Sequence, residues 1–161
     1  MVILTCHNVD GRSVAQRLLY RLLYKTTVFL LDTNIVFELR KLRPHGAVVS
    51  WLESVADHEL YLSAVTLGEI QAGIEITREQ DADKASAIEA WADQVSATYN
   101  VLPMDAVTFR LWAKLMHRQS NTVYEDAMIA ASALRHKLIV ATRNVCDFER
   151  FDVPVFNPFG K

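Results

Sequence analysis

Cysteine is scarce in this chain: two in 161 residues, Cys6 and Cys146. They make neither a disulfide framework nor a metal-ligand spacing, so a reducing cytoplasm is the expected setting. Glycine and proline are few as well, at five and four. No Pro-, Gly- or Ser-rich linker, repeat or low-complexity tract divides the chain. No apolar run approaches the roughly 20 residues that span a bilayer, so no membrane partner is expected. The opening MVILTCHNVDG lacks the apolar core of a signal peptide. The five histidines, His7, His45, His58, His117 and His136, stand in no metal-pair spacing. A net charge of −2 argues against strong, non-specific nucleic-acid binding. It leaves room for an enzyme that meets RNA through a local basic patch.

At 51% hydrophobic and 22% charged, the chain suits one soluble domain with a substantial core. Strands are expected at 28–31, 60–63, 101–102, 138–142 and 153–156. Helices are expected from 32 to about 41, and at about 46–56, 65–77, 82–98, 105–119 and 123–136. This alternation predicts a three-layer α/β domain around a central parallel sheet, whose ligands gather at the carboxyl ends of the strands. Residues 1–27 differ from the rest. Arg12, Arg17, Arg21 and Lys25 against Asp10 make them +3, leaving −5 for 28–161. The stretch RSVAQRLLYRLLYK has the spacing of a basic amphipathic helix. The expected organisation is therefore an N-terminal basic extension over 1–27 and the domain over 28–161. No methionine lies between Met1 and Met104, and a start misassigned ahead of a valine-encoded initiator would account for the extension.

Several carboxylates fall at strand ends. In VFLLDTNIV the apolar strand stops at Asp32, for which helix capping by Asp32 or Thr33 is a sufficient structural explanation. Glu69 lies in SAVTLGEIQAGI beside a stripe of Leu67, Ile70 and Ile74, and Thr66-x-x-Glu69 matches a capping box. Thr122-x-x-Glu125 is a second such match. Asp126 then heads AMIAASA, a small-residue surface suited to packing on a sheet. An acid in a first helical turn contributes roughly 0.3–1 kcal/mol through the helix dipole, which explains an exposed Asp better than one starting a buried helix. Thr142, Asn144 and Asp147 follow the strand LIVA, where turn chemistry accounts for Asn and Asp. Each position has an ordinary explanation, yet all of them point to one sheet edge. Two carboxylates about 4 Å apart repel by roughly 4 kcal/mol at an effective dielectric near 20. Such a set takes up protons or holds a cation, and oxygen-only ligands suit Mg²⁺ or Mn²⁺.

The ordered motifs LLDTNIVFELRK, LYLSAVTLGEIQAGIE, EDAMIAASALRHKL, IVATRNVCDF and VPVFNPFG resemble a bacterial PIN-domain protein of the VapC-type toxin kind. That resemblance implies a Rossmann-like sheet and a Mg²⁺- or Mn²⁺-dependent endoribonuclease. It also implies a homodimer neutralised by a cognate antitoxin, with structured RNA (tRNA or rRNA) as substrate and translation as the process inhibited. Its acidic quartet maps onto Asp32, Glu69, Asp126 and the Asn144–Asp147 region. The departure is Asn144, where many relatives carry Asp, which leaves Asp147 as the nearest carboxylate. The chemistry expected is metal-assisted phosphodiester hydrolysis. Thr33 and Thr142 are candidates to place water or a phosphate oxygen. Arg40, Lys41 and Arg43 are the candidate phosphate patch. Trp51, Trp91 and Trp112 read as core or dimer contacts rather than base-stacking platforms. The alternatives are a haloacid-dehalogenase-type phosphatase, disfavoured because Asn34 stands where a second acid is needed, and a non-catalytic binding module on the same fold.

Overall fold

The computed structural model describes residues 27–160; the basic helix expected within 1–27 lies outside them. Five short strands form one sheet: β1 (Phe29–Leu31), β2 (Leu60–Ser63), β3 (Asn100–Leu102), β4 (Ile139–Ala141) and β5 (Val155–Phe156). Their order is β3-β2-β1-β4-β5, and every neighbouring pair runs parallel. Phe29 is in register with Leu60 on one side and Ile139 on the other. The chain leaves β1 toward β2 and returns to β4 on the opposite side. The carboxyl ends of β1 and β4 therefore flank the point where strand order reverses, the usual ligand crevice of such sheets.

Strand alternation sorts the core into two layers. Phe29, Leu31, Leu60, Leu62, Ile139 and Ala141 face one side. They pack with Ile35 and Val36 of α1 (Thr33–Glu38), Val48 of α2 (Gly46–Ser54), Ile70 and Ile74 of α3 (Ala64–Arg78), and Ile88 of α4 (Ala82–Thr98). Leu30 and Val140 face the other side, against Ala127, Ala130 and Ala133 of α6 (Tyr124–His136). The small side chains of α6 let it lie close to the sheet, and α5 (Ala106–Leu115) covers it. Trp51 packs edge-on against Phe29 and Trp112 against Phe109 and Tyr124. Both serve as packing residues.

The helices depart from expectation mostly at their ends. α1 stops at Glu38 and α5 at Leu115, each several residues short of the sequence pattern. A five-residue helix, α7 (Val145–Glu149), occupies what reads as a turn. Neither capping box forms. Ser63 caps α3 by accepting from Val65 N–H, so Thr66 lies inside the helix and is fully buried. Ser120 caps the short 3-10 turn Asn121–Val123, which runs into α6 without a side-chain cap at Val123. A glycine inside a helix often marks a close approach, but at Gly73 in α3 a Cβ would meet nothing within 4 Å. No helix among the described residues is long and apolar enough to cross a membrane.

Candidate active site

Asp32 is the first residue after β1, and its backbone N–H continues the ladder to Ala141 O at 3.0 Å. It is also the N-cap of α1, its Oδ1 accepting from Thr33 N–H at 2.8 Å. Capping and site membership are thus one geometry. The second oxygen, Oδ2, accepts from Thr142 Oγ1 at 2.6 Å and from Asn34 Nδ2 at 2.5 Å. Asn34 Nδ2 also donates to Thr142 Oγ1 at 3.1 Å, and its Oδ1 accepts from Arg143 N–H at 3.1 Å. Asn144 N–H completes the knot by donating to Thr142 Oγ1 at 2.9 Å. Asp32 and Thr142 are buried, so this carboxylate is oriented by donors from both flanking loops.

Glu69 projects from the second turn of α3, and its Oε2 accepts from Thr33 Oγ1 at 2.5 Å. Thr33 Oγ1 also lies 3.4 Å from Thr66 Oγ1. Asp126 sits in the first turn of α6, and Asp147 in the first turn of α7. The charges feel one another. Burial pushes Asp32 above the ordinary carboxylate range, the Asp147 charge adds to this, and the bonds from Thr142, Thr33 and Asn34 oppose it. Burial likewise raises Glu69, opposed by Thr33 and assisted by Asp32, Glu125 and Asp126. Asp126 is pushed up to about 6, by burial first, then by Asp32 and Asp147, with Arg150 opposing. The structure therefore places Asp32 and Asp126 within electrostatic reach of both Glu69 and Asp147. Glu125 lies at the margin of this acidic cluster.

Among the described residues no group of three or more His, Cys, Asp and Glu side chains is placed, as it stands, to hold a metal ion. The donor chemistry nevertheless fits a hard divalent cation. The nearby groups are carboxylate and hydroxyl oxygens, the carboxylates raise one another's proton affinity, and Mg²⁺ needs only one or two of them because it keeps much of its water. Asn144 is exposed, and its side chain makes no cap bond. Asp147 is the group at that corner whose charge reaches Asp32 and Asp126.

The basic candidates are dispersed. Arg40 lies over the Trp91 ring at 5.9 Å, Lys41 pairs with Glu38, and Arg43 is exposed. Sequence reasoning missed three residues that tie the site together: Asn34, Glu38 and Arg143. Glu38 is only 2% exposed. It accepts from Lys41 Nζ, from His45 N–H at 3.0 Å and from an Arg143 guanidinium nitrogen at 3.2 Å. The available signal was a glutamate three residues after Ile35, on the buried stripe of a helix, a place where an unpaired charge is costly.

A groove opens beside the cluster. It is lined by Val65, Gly68, Glu69, Met104, Phe109 and Met128 among others, so an apolar trough leads up to the carboxylates.

The family model of the PIN domain matches residues 29–153. Toxin FitB of Neisseria gonorrhoeae is 32% identical over 139 residues, covering 82% of this chain and 99% of that protein. The VapC ribonuclease Y4jK of Sinorhizobium fredii is 33% identical over 144 residues, covering 82% of this chain and 98% of its own length. Among solved structures, the crystal structure of FitAcB from Neisseria gonorrhoeae superposes with a TM-score of 0.72 at 31% identity, over 83% of this chain and all of that one. FitAB bound to the IR36 DNA fragment gives the same TM-score, 0.72, at 30% identity over 83% of this chain and 97% of that one.

Proposed function

The chain belongs to the PIN-domain family, in its toxin–antitoxin branch, and on that premise we propose that it is a divalent-metal-dependent endoribonuclease acting as the toxin of such a pair. Relatives named as ribonucleases support the reaction class. The observation that carries the reading is the convergence of Asp32, Glu69, Asp126 and Asp147 at the carboxyl ends of β1, β2 and β4, where Asp126 is pushed up to about 6. In this reading Asp32, Glu69 and Asp126 would hold Mg²⁺ or Mn²⁺, with Asp147 as the fourth carboxylate of the site. The cation supplies charge neutralisation at the scissile phosphate and activation of the attacking water.

The protein's own part is orientation. Thr142, Asn34 and the Thr33 N–H hold Asp32 in one rotamer. Thr33 holds Glu69. Fixing these side chains before substrate arrives removes their ordering cost from the chemical step. Because Thr142 is buried against Asp32, its role is to orient that carboxylate rather than to touch phosphate. Arg40, Lys41 and Arg43 remain the proposed phosphate-facing side chains at the end of α1. Structured RNA such as tRNA or rRNA is the proposed substrate, loss of translation the consequence, and the cytoplasm the place of action. A cognate antitoxin and a second copy of the chain are the proposed partners, for which Val107, Phe109 and Tyr124 leave apolar surface exposed.

The test incubates purified antitoxin-free protein with total cellular RNA and Mg²⁺ or Mn²⁺, beside Asp126→Asn and an EDTA control. Discrete cleavage lost in both controls is the expected result. A folded protein that cuts no RNA with either metal would instead make the chain a PIN-fold binding module.

A further inference from the structure

We propose that Arg143 is a built-in contact for an RNA backbone phosphate, set beside the acidic cluster and held ready by Glu38 and Phe159. The proposal rests on the ribonuclease reading above. An acidic site that must receive a polyanion needs a cation at its rim, and one already ordered loses less freedom on binding. Arg143 lies between Thr142 and Asn144, the two residues whose hydroxyl and N–H close the network around Asp32. Its own N–H is taken by Asn34 Oδ1, so its backbone is fixed relative to Asp32.

The side chain is fixed as well. One guanidinium nitrogen donates to Glu38 Oε1 at 3.2 Å, and Cζ stands 3.9 Å from the centroid of the Phe159 ring. Phe159 is braced in turn by the His45 ring at 5.3 Å. Even so, the Arg143 side chain is 51% exposed. A guanidinium carries five N–H donors in a planar fork, and one bond to Glu38 leaves several for a phosphate oxygen. Charge balance favours the same outcome. Glu38 is shared between Lys41 and Arg143, both half-exposed, so two cations are anchored on one buried carboxylate and a positive charge is left over. Hydrogen bonds from Lys41 and His45 N–H, together with the Lys41 and Arg143 charges, hold Glu38 below its ordinary range and keep the anchor ionised.

A short fluorescein-labelled RNA hairpin is the probe, titrated by anisotropy at several salt concentrations. It is titrated into the full-length Asp126→Asn chain, which should not consume it. Phosphate contacts are largely independent of sequence, so the natural target is not required. Adding Arg143→Gln should weaken binding about 5- to 10-fold and reduce the salt slope by about one. Glu38→Gln should weaken it less, because the arginine is freed but retained. If Arg143→Gln does not fold, Arg143→Lys is read instead. Keeping the charge without the fork, it should lose about 2- to 3-fold in affinity at an unchanged slope. Binding equal to the parent in the folded variant, with a lowered melting temperature, would make Arg143 purely structural and sink the proposal while leaving the nuclease reading intact. An Asp126→Asn parent that does not bind RNA, together with an unsubstituted chain that cuts none, would overturn both.

Discussion

Thr33 gives its hydroxyl proton to Glu69 at 2.5 Å, joining the first turn after β1 to the second turn after β2. Thirty-six positions separate the two in sequence. The bond opposes the burial that raises Glu69, so it helps keep that carboxylate charged as well as aligned. Thr33→Val keeps the shape and removes the donor. We expect it to cost about 1 kcal/mol of stability and roughly tenfold in RNA cleavage, and to shift the acid limb of the pH–rate profile upward as Glu69 becomes harder to ionise. Thr33→Ser should restore most of the rate. A Thr33→Val enzyme with the parent's pH profile would show that the bond orients nothing that matters.

Asp126 makes a second, opposite prediction about stability. Its native pKa of about 6 lies above the ordinary 3.8, so between those values the native state holds more protons than the unfolded chain. Stability contributed by this group therefore falls as pH rises through that window, and the whole cost is present above it. Asp126→Asn should stabilise the metal-free protein by about 1 kcal/mol at pH ~7.5, allowing for solvent screening at a half-exposed site. The gain should vanish near pH ~4, and cleavage should be abolished throughout. Urea denaturation at both pH values checks the sign. A variant destabilised at the higher pH would mean that Asp126 is not under repulsion from its neighbours.

How far the site could be read from sequence depended on whether a residue's partners are near it along the chain. Strand LYLS at 60–63 and the long helix Ala82–Thr98 match expectation because apolar runs and periodicity are local signals. Asp32, Glu69 and Asp126 could be placed at one sheet edge for the same reason, since parallel β-α units put strand ends together. The capping-box readings failed because Ser63 and Ser120, a few residues upstream, take the capping roles instead. Arg143 and Glu38 are 105 positions apart, and nothing in either segment alone advertises the pairing. The short α7 escaped notice because five residues carry too little periodicity to stand out from a turn.

Glu38 supplies a test of the anchor that is independent of RNA. Its carboxylate is buried, receives three donors, and is held below its ordinary pKa, mainly by the hydrogen bond from Lys41. A depressed native pKa contributes stability that is present above the unfolded value and is lost as pH falls through the native one. Glu38→Gln removes the charge but keeps the volume, so it should cost about 2 kcal/mol at neutral pH. The difference should shrink as the parent is acidified below the usual glutamate range. Chemical denaturation from pH ~7 to ~3 measures it. A cost that stays constant across that span would assign the loss to packing rather than to the ion pairs with Lys41 and Arg143.

We assign the fourth position of the cluster to Asp147 rather than to Asn144. Asn144 bears no charge and is exposed, its backbone N–H alone entering the network through Thr142. Asp147, three residues on, raises both Asp32 and Asp126, while Arg150 stands 3.7 Å away and screens part of its charge. Asp147→Asn removes one of the like charges that hold Asp126 at about 6, so the Asp126 carboxyl should titrate at lower pH, visible by carbon-detected NMR of the metal-free protein. The same substitution should weaken Mn²⁺ binding and cleavage about 10- to 100-fold, in line with loss of a group supporting a metal site. Asn144→Ala should leave the Asp126 titration where it is and change Mn²⁺ affinity far less. The reverse order, with Asn144→Ala the more damaging and Asp126 unmoved in Asp147→Asn, would transfer the fourth position to the amide. The relevant interaction would then be a neutral oxygen facing the cation, with Asp147 reduced to a surface partner of Arg150.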